Sequence, residues 1–191
     1  EASYWPHDIP KEGTRDVPLT REIYIERDDF MEDPPKKFHR LSPGQEVRLR
    51  YGYIIRCDEI IKDEAGNVVE LRCSYDPDTR SGSGSDRKVK GTVHWVSASE
   101  GVRVDVRLYD RLFKAANPDQ VEEGQTFLDH LNPDSLKEVS AVIEPSAAAD
   151  EPETWYQFER QGFFYLDPES FKEGRRVWNR TVTLRDSWGK Q

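Results

Sequence analysis

The chain has 191 residues and a formal charge of −9, with 34% charged and 35% hydrophobic residues, five Trp, eight Tyr and eight Phe. That aromatic and apolar content supports one large or two small cores, so the chain is globular rather than disordered. No apolar run approaches the roughly 20 residues of a membrane-spanning helix, no segment resembles a signal peptide, and the net acidity argues against non-specific coating of DNA.

Residues 1–20, EASYWPHDIPKEGTRDVPLT, hold three prolines and one Gly without periodicity and read as a lead-in or linker. The only Met is Met31, so the chain is expected to be part of a longer protein. A period of two begins at Arg21–Asp28, with Ile23 and Ile25 on one side. The next stretch, PKKFHRLSPGQEVRLR from Pro35 to Arg50, sets Lys36, Lys37, Arg40, Arg48, Arg50 and His39 against one acid, Glu46. In an acidic chain such a patch points to a chosen polyanionic contact, with nucleic acid the candidate; a solvated basic face or internal salt bridges is the competing reading.

Alternation over Glu46–Cys57 predicts one strand, with Val47, Leu49, Tyr51 and Tyr53 opposite Arg48 and Arg50, so that the two arginines project the same way. Further strands are predicted at Val68–Tyr75, Lys88–Ser97, Val102–Leu108, Leu136–Ile143, Thr154–Leu166 and Arg176–Leu184. Thr126–Leu131, stopped by Asn132-Pro133, predicts a short helix, and Tyr109–Lys114 a half-turn leaving a strand. Asp78–Asp86 and Ser146–Glu153 read as solvated loops; the first lacks the Gly-Lys-Ser/Thr ending of a phosphate loop. The pattern implies an all-β fold of antiparallel barrels or sandwiches.

Catalytic chemistry finds little support. His7, His39, His94 and His130 show no metal spacing, and HExxH, CxxC and GxSxG are absent. Cys57 and Cys73 flank Glu64-Ala65-Gly66-Asn67 almost symmetrically and are expected reduced, as packed thiols near each other across a hairpin. In Tyr156-Gln157-Phe158-Glu159-Arg160, alternation sets Gln157 and Glu159 opposite Tyr156, Phe158 and Arg160 unless a bulge re-aims one of them. Gln and Arg read the edges of splayed bases, and aromatic or guanidinium planes stack on them.

The segments RKVKGTVHWVSA (Arg87–Ala98), VRLYDRLF (Val106–Phe113), FLDHLNPDSL (Phe127–Leu136), YQFERQGFFYLD (Tyr156–Asp167) and NRTVTLRDSW (Asn179–Trp188) together resemble the C-terminal anticodon-binding region of glutaminyl-tRNA synthetase. The resemblance runs from Gly13 onward in order and spacing. It implies an all-β chain of two antiparallel β-barrels with one or two short helices. Residues 1–20 would lead in from a catalytic part of the same polypeptide, 21–97 form the first barrel and 98–188 the second, with strand exchange between the barrels allowed.

By the same resemblance, Gln157 and Arg160 recognise the central uracil of a glutamine anticodon, Arg40 the third base, and Arg48 and Arg50 the first base and its neighbouring phosphate. Lys36, Lys37, His39 and Ser187 are the implied backbone contacts. His39 stands where the family has lysine, and Ser187 where it has threonine. The implied partner is the anticodon loop of tRNA(Gln), with no DNA and no membrane, in a cytoplasmic monomer. No catalytic motif and no cofactor are expected in this stretch; ATP and Mg belong to the separate catalytic domain. The alternatives are a related glutamyl-tRNA synthetase and a protein-interaction β-barrel without an RNA role.

Overall fold

The alternation from Glu46 to Cys57 folds as two strands rather than one. In the computed structural model, which describes residues 1–5 and 9–184, the run breaks at a turn over residues 50–52. Gly52 N–H donates to the Leu49 carbonyl at 2.8 Å, and Tyr51 takes φ +60° to close the reversal. A bulky residue in the left-handed region is unusual, and nothing in the hydrophobic pattern announces it.

The chain divides into two units, Glu1–Gly101 and Val102–Gln191. In the first, β1 (Ala2–Ser3) pairs with β2 (Thr14–Arg15), and β3 (Ile23–Tyr24) pairs with β8 (Val96–Ser97). The same unit holds a four-stranded sheet ordered β6-β5-β4-β7, made of β4 (Glu46–Leu49), β5 (Ile54–Lys62), β6 (Val68–Asp76) and β7 (Thr92–Val93). The two long strands form a hairpin whose turn is fixed by Asp63, which accepts from Ala65 N–H at 3.0 Å and Asn67 N–H at 2.8 Å. Phe30, Leu41, Val47, Leu49, Ile55, Cys57 and Val93 make the core of this unit. The strand expected over Arg21–Asp28 shrinks to β3, because Arg27–Asp29 turns as a 3-10 helix that places Asp29 in the interior. Lys88–Ser97 likewise keeps only β7 and β8.

In the second unit five strands lie in the order β10-β9-β13-β12-β11: β9 (Val102–Tyr109), β10 (Leu136–Ile143), β11 (Trp155–Phe158), β12 (Gly162–Leu166) and β13 (Val177–Val182). All neighbours are antiparallel except β13 with β9. Val104, Val106, Ile143, Phe164, Leu166 and Trp178 point into its core. The short helix expected near Thr126 is a 3-10 turn over Phe127–His130, closed by a reciprocal cap between Thr126 and Asp129.

The two short α-helices lie where the sequence pattern placed none: α1 (Pro145–Ala149) and α2 (Pro168–Lys172). The loop expected from Ser146 is helical at its start because Pro145 enters the first turn and the alanines after Ser146 favour the helix. Buried Ala147 then anchors it to the core. With only these two short α-helices among the described residues, the fold is all-β.

Candidate nucleic-acid interface

The basic stretch is built around a buried acid. Leu41, 1% exposed, is drawn into the core, where its N–H donates to the Asp29 carbonyl at 3.0 Å and its own carbonyl accepts from Met31 N–H at 3.2 Å. This brings Arg40 onto the 3-10 turn. Its Nη1 lies 3.1 Å from Oδ1 of Asp29, whose side chain is fully buried, and 3.3 Å from the Asp28 carbonyl. The Arg40 side chain as a whole is still 40% exposed. Lys36, Lys37 and His39 are exposed.

Arg48, in β4, is drawn inward. Its Nη1 donates to the Thr79 carbonyl at 2.7 Å and its Nη2 to the Arg87 carbonyl at 3.0 Å. Buried Thr79 is itself fixed, accepting from Ile54 N–H at 2.9 Å and donating to the Asp76 carbonyl at 2.6 Å. Arg50 begins the turn instead of continuing the strand, so the expected shared strand face of the two arginines is interrupted by Tyr51. Its backbone is pinned by Val93 and Trp95, the indole N–H reaching the Arg50 carbonyl at 2.9 Å. The guanidinium lies 5.3 Å from the centre of the Tyr51 ring, within cation–π range.

A groove of about 450 Å³ opens beside Arg40, lined by His39, Arg40, Glu46, Arg56, Lys88 and Lys90. Glu46 is engaged by Arg87 at 2.6 and 2.8 Å, and Arg87 also binds Asp76. The guanidinium of Arg87 is therefore held in its charged form chiefly by its bonds to Asp76 and then Glu46. Lys88 and Lys90 were not singled out in the sequence. The available signal was the Arg-Lys-Val-Lys spacing before Gly91.

In the second unit Gln157 lies on the exposed face of β11, directly opposite Phe163 of β12. Trp155, 69% exposed, pairs with Tyr165 on the same face, their rings 4.6 Å apart. Gln157 thus sits in an aromatic surround. Arg160 does not continue the alternation of β11: the strand ends at Phe158, and Glu159–Gln161 form the hairpin turn, closed by Gln161 N–H to the Phe158 carbonyl at 3.0 Å. Arg160 holds φ +62° there. Gly162 is obligatory next to it, since a Cβ would overlap the Val182 carbonyl at φ +136°. Ser187 lies outside the described residues.

Among the described residues no group of three or more His, Cys, Asp or Glu is placed to hold a metal ion. The sites offer exposed guanidinium, ammonium, amide and aromatic groups, suited to binding an anionic strand with open bases.

Residues 1–76 match a family model described as tRNA synthetases class I (E and Q), anti-codon binding domain, and residues 92–167 match a second model with that description. The chain is 58% identical over 182 residues to a glutamine-tRNA ligase of Pseudomonas syringae, covering 94% of this chain and 32% of the relative. A glutamine-tRNA ligase of Pseudomonas putida is 58% identical over 183 residues, with the same coverage, and one of Nitrobacter hamburgensis is 55% identical over 184 residues, covering 96% of this chain and 32% of the relative. The chain spans about a third of the length of these curated relatives.

Proposed function

Because the chain belongs to the class I (E and Q) tRNA synthetase anti-codon binding family, we propose that it reads the anticodon of tRNA(Gln) within a cytoplasmic, monomeric glutamine-tRNA ligase. The whole enzyme would join glutamine to its tRNA with ATP and Mg, in a catalytic part of the same polypeptide. The observation that carries the reading is 58% identity to a glutamine-tRNA ligase across 94% of the chain. The same observation favours glutamine over the related glutamyl enzymes that the family description also includes.

In this proposal Gln157 and Arg160 read the central uracil. The amide of Gln157 both donates and accepts, as a uracil edge requires, and Arg160 presents a planar fork to carbonyl oxygens. Arg40 takes the third base through the open part of its guanidinium, oriented by Asp29. Arg50 serves the first base and its neighbouring phosphate. Arg48 acts with it by charge and by tying the Thr79 and Arg87 segments to β4. Lys36, Lys37, His39 and Ser187 contact the backbone.

The test is binding by the full ligase to tRNA(Gln) transcripts altered at each anticodon position, at fixed salt. Gln157→Ala should weaken cognate binding by about 1–3 kcal/mol and relax discrimination at the central base alone. Equal ranking of all anticodons by wild type and variant would overturn the assignment. Charging with labelled Gln against labelled Glu decides between the two amino acids.

A further inference from the structure

We infer that Lys88 and Lys90 form the outer wall of a phosphate-binding groove that grips the RNA backbone beside the nucleotide read by Arg40. The inference rests on the anticodon-reading function proposed above and adds to it two residues of another segment. The two walls are held together by backbone packing. Arg48 N–H donates to the Gly91 carbonyl at 2.9 Å, and β4 runs parallel to β7 with Arg48 opposite Thr92. Gly91 lies so close to the His39 carbonyl that a Cβ would overlap it. The Lys88–Gly91 segment is therefore fixed against the segment that carries Arg40.

The charges of the groove are unequal in what already satisfies them. Arg40 has buried Asp29, and Arg56 has Asp58 at 2.8 Å. The one acid in the lining, Glu46, is occupied by Arg87. Lys88 and Lys90 are exposed and make no ion pair or side-chain hydrogen bond among the described residues. In a chain with 37 acidic against 28 basic residues, carboxylates are available to neutralise such a cluster, yet none of the described ones is placed to do so. Clustered cations repel one another, and an external anion relieves that cost.

The ligand chemistry follows from the side chains. An ammonium is a compact point charge with rotatable donors, suited to phosphate oxygens whatever base is attached. Base reading belongs to Arg40, whose fork is already oriented by Asp29. Two lysines spaced by one residue suit one phosphodiester or two successive ones in an unstacked strand.

The experiment measures binding of the full ligase to a tRNA(Gln) transcript across a series of salt concentrations. Lys88→Ala/Lys90→Ala should lower the slope of log Kobs against log salt by about 0.7 for each phosphate no longer neutralised, hence by about 1.4 for two. The loss of affinity should be the same for every anticodon variant, unlike that of Gln157→Ala. Lys137→Ala, a control on β10 in the other unit, should leave the slope as in wild type. An unchanged slope in the double variant, or an equal fall in the control, overturns the phosphate groove and leaves the anticodon reading standing. Wild-type binding that ignores salt and anticodon overturns the anticodon reading, and this inference with it. Displacement of wild type from tRNA by polyglutamate that the double variant resists, with equal tRNA slopes, would assign the groove to an acidic peptide and overturn the RNA contact.

Discussion

The guanidinium of Arg40 stands 3.1 Å from the carboxylate of Asp29, one partner 40% open to solvent and the other fully buried. Burial of an anion is tolerable only with a paired charge, so Arg40 serves the fold and the surface at once. Arg40→Ala should therefore lower stability, by less than the about 3–5 kcal/mol of a fully buried pair because the guanidinium is partly hydrated. Adding Asp29→Asn should recover part of that loss without restoring tRNA binding. Thermal melts and tRNA titrations on the single and double variants check this. Recovery of binding by the double variant would show that Arg40 matters only as a structural partner.

Gly91 is the second point where fold and surface meet. A Cβ there would overlap the His39 carbonyl, and backbone cannot move aside as a flexible side chain can. Gly91→Ala should cost about 1–3 kcal/mol through overpacking and lower Tm by at least about 2 °C. Affinity for tRNA should fall in step, as the Arg40 segment loses its register against Lys88 and Lys90. Lys88→Ala should leave Tm unchanged, since its side chain is exposed. Calorimetry on the two variants separates packing from charge.

Much of the fold was legible wherever side chains obey the period of two. Leu136–Ile143 is a strand over the expected residues, and Val68–Tyr75 gains only Asp76. The reading failed at Tyr51 and Arg160, which reverse the chain at φ +60° and +62°, positions that Gly or Asn would ordinarily hold. Both interrupt an alternation that continues through the turn, so one apparent strand is two. At the candidate sites, Arg40 and Gln157 were legible as side-chain types in context. Asp29 beneath Arg40 was not, because a 3-10 turn brings it inward. Lys88 and Lys90 were hidden for another reason: the parallel pairing of β4 with β7 is a long-range contact with no local pattern.

Cys57 and Cys73 face each other directly across the β5–β6 hairpin as free thiols. Cys73 is an exposed residue, but its thiol is turned against that of Cys57, and burial of the sulfur with the neighbouring thiol and Asp58 pushes its pKa up to about 12. A thiol that ionises less readily in the folded state than at the ordinary 9.0 favours folding while protonated. That contribution is intact below pH 9 and is lost as pH rises from about 9 towards about 12, since the unfolded chain gives up its proton first. Cys73→Ser should flatten this alkaline decline in denaturant titrations. At pH 8.5 iodoacetamide should alkylate the native chain at least about tenfold more slowly than the denatured chain, because the thiolate is the nucleophile.

Arg160 offers the clearest separation of stability from recognition. It occupies the hairpin turn at φ +62°, where a residue with a Cβ is strained by about 1 kcal/mol and glycine is not. Strain of this kind persists where the side chain is needed, and Tyr51 repeats it beside Arg50, the proposed first-base contact. Arg160→Gly removes the strain and the guanidinium together. Tm should exceed that of Arg160→Ala, which loses the same guanidinium, while binding to tRNA(Gln) weakens and discrimination at the central base relaxes. Arg160→Ala keeps the strain and should bind as poorly with a lower Tm. If Arg160→Gly instead melts well below wild type and binds tRNA(Gln) with full discrimination, the guanidinium braces the turn through contacts within the fold, and the central base is read by Gln157 without it.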